Sequence, residues 1–132
     1  MNAKTKTALK KAIKKYRKTV RDLEANLGQS IIWEWPAAAK IAVNNIPIPF
    51  GTDDCPLCQL YLDYNRDEEN YCKGCCIAED TARYLCERTP YHKFERLLLW
   101  DSARVTKRLI NAARAELHYL EDLYKRLTGK EA

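Results

Sequence analysis

Two Cys-x-x-Cys pairs constrain this chain more than any other feature of its sequence. The first pair, Cys-Pro-Leu-Cys, spans residues 55–58, and after thirteen residues the second pair, Cys-Lys-Gly-Cys, spans residues 72–75. Two thiolates separated by two residues can reach one metal ion, and Gly74 supplies the turn conformation that such a loop requires. Two pairs at this separation are typical of a closed, tetrahedral zinc site. We therefore predict one structural zinc ion per chain, bound by Cys55, Cys58, Cys72 and Cys75.

Two further cysteines leave the choice of ligands open. Cys86 is an alternative ligand, because the short helix expected before Thr89 could fold it back onto the site. Cys76 directly follows Cys75, and neighbouring cysteines seldom both face one ion, so we expect Cys76 to be a small buried residue. Reduced structural thiols and a cysteine-ligated iron–sulfur cluster are the other interpretations. Disulfides are not favoured, since the basic N-terminal segment lacks the apolar stretch of a secretory signal and a reducing cytosol is expected.

The order of the cysteine elements resembles that of a known group. Cys-Pro-Leu-Cys at 55–58, Cys-x-x-Cys at 72–75 and Cys-x-x-Thr-Pro-Tyr at 86–91 are similar to elements of small, uncharacterised phage and viral cysteine-rich zinc proteins. The likeness covers residues 55–91, under a third of the chain. It implies that the five recurring cysteines fall on Cys55, Cys58, Cys72, Cys75 and Cys86, while Cys76 replaces a usual proline. It favours Cys86 as a ligand or a close neighbour of the site, and it implies no mechanism.

Apolar periodicity predicts two long helices. A first helix is expected over 5–27, with Gly28 as its C-cap, and a last helix over 90–127, started by Thr89 and Pro90 and ended by Gly129. In the first helix the apolar seam is Leu9, Ile13, Tyr16, Val20, Leu23 and Leu27. In the last helix it is Leu99, Ala103, Thr106, Ile110, Ala113, Leu117, Leu120, Tyr124 and Leu127. Spacings of four and three residues are those of a coiled-coil seam.

The segments between these helices are expected to be shorter. The sequence predicts a short strand over 30–35, one or two helical turns over 36–40 and a short helix over 77–87. The prolines within 45–50 require an extended chain. Glycine is scarce, with only 4 in the chain, so a multi-stranded sheet is not expected.

Together these patterns predict a mostly α, single-domain protein over 1–132. We expect an antiparallel, coiled-coil-like hairpin of a basic helix (1–28) and a long helix (89–128), with an irregular apolar strap (29–52) and a zinc head containing a short helix (53–88). The head is expected at the end where the first helix stops and the last begins. The strap or a second copy would cover the surplus apolar face, which leaves a homodimer possible. No apolar run is long enough to span a membrane.

The charges of the chain are divided between two segments. Residues 1–21 hold nine Lys or Arg and no acid, whereas residues 52–80 hold eight acids and two basic residues. A basic helix of this kind can bind phosphates in a salt-sensitive way. The same lysines can also form a solvated face or be attracted to the acidic head, whose own role is left open. The candidate nucleic-acid-binding residues are Lys10, Lys11, Lys14, Lys15, Arg17, Lys18 and Arg21.

No arrangement typical of catalysis is found in the sequence. There is no Ser-His-Asp pattern and no glycine-rich loop, and an all-cysteine zinc site has no open position. The prediction is a non-enzymatic zinc protein that binds and modulates a host or partner protein, in the host cytoplasm if it is phage-encoded. The alternative is a nucleic-acid-binding module that uses the basic helix.

Aromatic residues and histidines are the remaining candidates. Trp33, Trp35 and Phe50 are either the cap of a small core or an anchor for a partner. His92 is considered as a neighbour of the zinc site or a substitute ligand, and His118 as a surface or seam residue.

Overall fold

A computed structural model describes residues 1–34, 38–51, 54–81, 86, 89–100 and 103–132. Its helices are α1 (Ala3–Ala25), α2 (Pro56–Tyr61), α3 (Cys76–Thr81), α4 (Pro90–Trp100) and α5 (Lys107–Thr128). Its strands β1 (Ile31–Glu34), β2 (Ala38–Ile41) and β3 (Ile46–Ile48) form one antiparallel sheet in the order β1-β2-β3. The prediction of a mostly helical protein is confirmed. None of the helices in the described parts of the chain has both the length and the apolarity to cross a membrane.

Helix α1 forms where the apolar periodicity predicts it. The side chain of Asn2 caps its start by accepting a backbone N–H of the first turn at 2.8 Å. The buried members of its seam are Leu9, Ile13, Val20 and Leu23. Leu27 is exposed, because the helix already ends at Ala25. The C-cap is Asn26 and not Gly28, although Gly28 does have the left-handed conformation, with φ +85°.

Helices α1 and α5, together the helix pair, pack side by side in opposite directions. Three contacts fix this orientation, since one residue number rises as the other falls: Lys10 with Tyr124, Arg17 with Glu121 and Glu24 with Arg114. The buried face of α5 includes Leu109, Ile110, Ala113, Leu117, Leu120 and Tyr124. Helix α4 packs on α5, and its buried Phe94 meets the ring of Tyr16 edge to face. The core of the protein therefore lies between α1, α4 and α5.

The prediction of one long last helix is wrong. The helical segment is interrupted between Trp100 and Lys107, where residues 103–105 run extended beside residues 28–31. We call these two segments the clasp. In the clasp, the backbone N–H of Gly28 donates to the carbonyl of Val105, and the N–H of Val105 donates to the carbonyl of Gln29. The N–H of Ile31 donates to the carbonyl of Ala103, and all three distances are 2.8–2.9 Å. Thr106 then starts α5 afresh, because its side chain accepts the N–H of Leu109. Leu99, expected in the seam, is exposed as a result.

The segment before the cysteines also differs from the prediction. Residues 38–40 belong to strand β2, not to a helical turn, and residues 36 and 37 lie outside the described residues. Pairing overrides the helix propensity of the alanines, since Ala39 is buried opposite Ile48 and Ile41 is paired with Ile31. The predicted short strand and the extended segment are confirmed as β1 and β3. The expectation against a multi-stranded sheet is wrong.

The cysteine-bearing segment, residues 54–81 with Cys86, is called the head. It packs beside the N-terminal half of α1, where Tyr61 hydrogen-bonds Thr5 and Asp54 pairs with Lys15 at 3.8 Å. Asp80 of α3 contacts the C-terminal half of α5 through Arg126 at 2.7 Å. The head lies where the predicted last helix begins, because the carbonyl of Cys86 accepts hydrogen bonds from Thr89 just before α4. The expectation that α1 also ends beside the head is wrong. That end of the helix pair is closed by the clasp.

Candidate metal centre

Cys55 occupies the N-cap position at the start of helix α2. The thiol of Cys58 and the backbone N–H groups of Cys58 and Leu57 lie near its sulfur and favour its charged form, and Lys15 adds a positive charge nearby. These interactions outweigh burial and lower the pKa of Cys55 to about 6. The local sequence causes this geometry, because Pro56 at the first helical position starts the helix immediately after the cysteine.

Cys75 repeats this arrangement one residue before helix α3. The thiol of Cys76 and the backbone N–H groups of Ala78 and Ile77 stabilise the charge on its sulfur, which lowers its pKa despite burial. The hydrogen bond to Cys75 raises the pKa of Cys76 in turn. Each Cys-x-x-Cys pair therefore contributes one sulfur that the backbone stabilises in the charged form. Charged sulfur is the form that binds metal ions.

The predicted ligand cysteines act on one another electrostatically. The pKa of Cys58 is raised first by its hydrogen bond to Cys55 and by burial, and then by the charges of Cys55, Cys86 and Cys72. The pKa of Cys86 is raised by burial and by Cys55, Cys75 and Cys72 among other charges. The structure thus gathers Cys55, Cys58, Cys72, Cys75 and Cys86 into one neighbourhood. Across the described residues, however, no three His, Cys, Asp or Glu side chains stand close enough together to hold a metal ion.

Cys86 has a backbone conformation that is rare for its residue type. Its φ of +59° lies in the left-handed region, which is costly for residues other than glycine. Its carbonyl accepts hydrogen bonds from the backbone N–H of Thr89 at 3.1 Å and from the Thr89 hydroxyl at 2.9 Å. These bonds fix Cys86 against the other thiols, just before α4 begins. This is the position that the Cys-x-x-Thr-Pro-Tyr element predicted for a ligand or close neighbour.

Gly74 is required in the turn between the second pair of cysteines. Its φ is +95°, and a Cβ atom added there would lie 3.0 Å from two ring carbons of Tyr61. The predicted turn conformation at Gly74 is confirmed. The ring of Tyr61 packs against this turn from α2, so the two cysteine pairs share a direct contact.

A small cavity of about 50 Å³ opens beside the thiols. The residues around it include Tyr16, Cys55, Cys58, Cys86, Tyr91 and Glu116. Glu116 is the unexpected member, since only 2% of it is exposed and its Oε2 has no hydrogen-bond partner in the described residues. Burial raises its pKa to about 8 and the charge of Cys55 adds to this, while hydrogen bonds from Tyr91 and Thr89 oppose the shift.

Sequence reasoning missed Glu116, although a pattern was present. The residue lies on α5 three positions after Ala113 and four before Leu120, within the apolar face. Burying a carboxylate in an apolar face costs free energy unless the group is paired, and such buried groups often occur at functional sites. Here it faces the cysteine cluster.

The candidate basic residues of α1 lie on its outer side but are not equivalent. Lys15, Arg17 and Lys18 form ion pairs with Asp54, Glu121 and Asp22, respectively. Lys10 lies 5.8 Å from the ring centre of Tyr124. The remaining members, Lys11, Lys14 and Arg21, are exposed and form no ion pair with another described residue.

Of the other candidate residues, Phe50 lines the cavity beside the thiols. Trp33 contacts Phe50 edge to face with ring centres 5.5 Å apart, and Trp35 lies outside the described residues. His92 is exposed on the outer side of α4, and His118 is exposed on α5. Comparison of the chain with models of known protein families, with curated proteins and with solved structures finds no match.

Proposed function

We propose that this chain is a zinc-stabilised, non-enzymatic interaction protein in which a coiled-coil-like hairpin carries a zinc head. The observation that carries the proposal is the repeated geometry of Cys55 and Cys75. Each sulfur sits at a helix start, where a neighbouring thiol and two backbone N–H groups lower its pKa. A site that stabilises thiolates before metal arrives is suited to zinc, which binds the deprotonated sulfur.

The small core of the head supports the need for a metal. Leu57 and Ile77 are its buried aliphatic side chains, and residues 64–70 are all exposed. In small domains with so little apolar burial, metal binding contributes directly to the free energy of folding. One zinc ion per chain would be held by Cys55, Cys58, Cys72 and Cys75, with Cys86 as the alternative ligand. Binding requires some side-chain movement, since no three of these groups meet at ligand distance.

A binding role is favoured over catalysis by the surroundings of the site. A zinc ion with four sulfur ligands offers no open position for substrate. His92 and His118 are both exposed, so neither stands beside the thiols as a base. Exposed apolar side chains on the head, Leu60 and Tyr64, offer a surface for a protein partner. The likeness to phage proteins suggests a host protein in the cytoplasm as that partner, and the exposed Ile32 leaves self-association as another use of this chain's surface.

Elemental analysis of protein purified without added metal tests the proposal. We expect one zinc per chain, retained in Cys76→Ser and lost in Cys55→Ser and Cys58→Ser. Cys86→Ser decides whether Cys86 is the fourth ligand. Iron in place of zinc, or zinc loss in Cys76→Ser alone, would contradict the proposed site.

The binding role has a separate test. The charge-introducing variant Leu60→Asp/Tyr64→Asp changes only exposed positions, so zinc content and helicity should stay as in the wild type. Capture of a protein partner from a host extract at high salt should be lost in this variant. If capture persists, the head is not the docking surface.

The alternative function is nucleic-acid binding through α1, and the exposure of Lys11, Lys14 and Arg21 favours it. Binding to DNA or RNA of any sequence should then fall steeply with salt. Reversal of Lys10, Lys11, Lys14 and Lys15 to Glu should abolish it. Unchanged binding in that variant would exclude the basic helix as the contact surface.

A further inference from the structure

Helix α4 ends on the most exposed large apolar side chain of the described residues. Trp100 is 82% exposed, whereas Phe94 and Leu98 on the same helix are buried. A tryptophan left in water loses the stabilisation that its large apolar surface could contribute, so an isolated exposed ring often marks a contact site. Trp100 takes no part in the core that holds α4 to α5.

Trp100 stands in a basic groove. The groove has a volume of about 630 Å³ and is lined by His92, Lys93, Arg96, Leu97, Trp100 and Arg108. None of these described lining residues is acidic. Lys93 and Arg96 are one helical turn apart and Arg96 is one turn before Trp100, so cations and ring follow one stripe of α4.

The start of α5 adds positive potential to the same groove. Its first turn contains no acid, and its first two residues are Lys107 and Arg108. Positive side chains at a helix N-terminus are unfavourable, because the helix dipole already places partial positive charge there.

We propose that this groove binds single-stranded nucleic acid. An unpaired base stacks on the ring of Trp100, and the neighbouring phosphates pair with Lys93 and Arg96. Stacking on an exposed aromatic ring next to cations is the usual way in which proteins bind single strands without sequence preference. A duplex keeps its bases stacked on one another, so it can use the cations but not the ring. The site is separate from the basic face of α1 and does not depend on the zinc proposal.

Fluorescence anisotropy of a labelled oligothymidylate tests the site at about 50 mM and about 200 mM salt. We expect Trp100→Ala to weaken binding about tenfold and Trp100→Phe to retain most of it, because phenylalanine still stacks. Arg96→Glu should weaken binding further and reduce its salt dependence. The matched control is Trp33→Ala, which removes a tryptophan that is 42% exposed outside the groove and should bind as the wild type does.

Four outcomes would overturn the inference. The first is no binding of the oligonucleotide at the lower salt, and the second is wild-type affinity in Trp100→Ala. The third is binding of a duplex that is as tight as binding of the single strand, with both unaffected by Trp100→Ala. The fourth is displacement by polyglutamate as effective as by unlabelled strand, which would identify a site for acidic peptides. Loss of binding only in the α1 charge-reversal variant would instead support the alternative function. Circular dichroism of each variant checks that the fold is intact.

Discussion

The helix pair and the head use different means to hold their side chains in place. In the helix pair, apolar residues recur every three or four positions, and Leu9, Leu23 and Leu109 are completely buried. In the head, Leu57 and Ile77 are surrounded by thiols, short helices and exposed loops. Apolar burial can stabilise the first region by itself, but the second has too little of it. The comparison leads us to propose that the helix pair is stable by itself, whereas the order of the head depends on the proposed metal.

Removal of the metal is expected to produce the largest effect and to separate the two regions. A chelator should expose the backbone of the head, because apparent zinc-binding free energies of about 10–16 kcal/mol are coupled to folding in such sites. Hydrogen exchange should then accelerate strongly over 55–81, while the amides of α1 and α5 stay protected. Loss of protection in both regions together would show that the helix pair also depends on the head.

Truncation of a buried side chain in the helix pair should act in the opposite way. Leu23→Ala removes a completely buried side chain and should lower the free energy of unfolding by about 2–5 kcal/mol. Chemical denaturation measures this, with Leu127→Ala as the control because Leu127 is 45% exposed and should cost little. Zinc content should remain one per chain in both variants while they are folded. Equal costs at the two positions would contradict the assignment of the core.

Glu116 joins the two regions, and its replacement should change how stability depends on pH. Burial raises its pKa from 4.5 to about 8, so the folded state holds the proton more tightly than the unfolded state does. The contribution of Glu116 to stability is therefore fully present below about pH 4.5 and is lost as the pH rises towards about 8. Glu116→Gln removes this loss, which amounts to roughly 5 kcal/mol.

Denaturation of the wild type and of Glu116→Gln at several pH values measures this difference. The groups around the carboxyl group are Tyr16, Tyr91, Thr89, Cys55 and Cys86. The variant should be no more stable than the wild type at low pH and clearly more stable above about pH 8. Parallel pH curves would show that Glu116 does not titrate in this range.

Gly74→Ala should have the smallest effect and should be confined to the head. The substitution combines a left-handed backbone with a Cβ atom 3.0 Å from the ring of Tyr61, at a cost of about 1–3 kcal/mol. Gly51→Ala is the matched control, because Gly51 also has a positive φ but nothing lies within 4 Å of its added Cβ. Zinc affinity and head protection should fall more in Gly74→Ala than in the control. Identical behaviour would mean that the contact with Tyr61 does not matter.

The sequence predicts well the helices that have a periodic apolar face, and it predicts poorly the elements that depend on pairing with distant residues. The seam of α1 and most of the seam of α5 follow from spacing alone, because a helix face repeats locally. The break before Thr106 was missed, since Ala103 and Thr106 continue the spacing, while the backbone hydrogen bonds of Ala103 and Val105 go to residues 28–31. The strand at Ala39 was missed for a related reason, because its partners Trp33 and Ile48 are set by pairing and not by local propensity.

The candidate site shows the same division. The spacing of the cysteines predicts a shared site, and the thiols are near enough to act on one another electrostatically, but their role as ligands stays a prediction. Glu116 could not be assigned in this way, because its role depends on which face of α5 meets the head. The clasp contributes to this orientation, because it sets where α5 starts after Val105 and therefore which side of the helix meets the head.

The clasp has a mechanical consequence. Because α1 and α5 are antiparallel, Lys10 and Tyr124 lie at the end of the helix pair opposite the clasp. A force that pulls the outer ends of the two helices apart would separate them turn by turn, starting at this contact. The hydrogen bonds between residues 28–31 and 103–105 would bear the load last. The head is loaded before the clasp, because it contacts α1 through Tyr61 and α5 through Asp80 near the pulled ends.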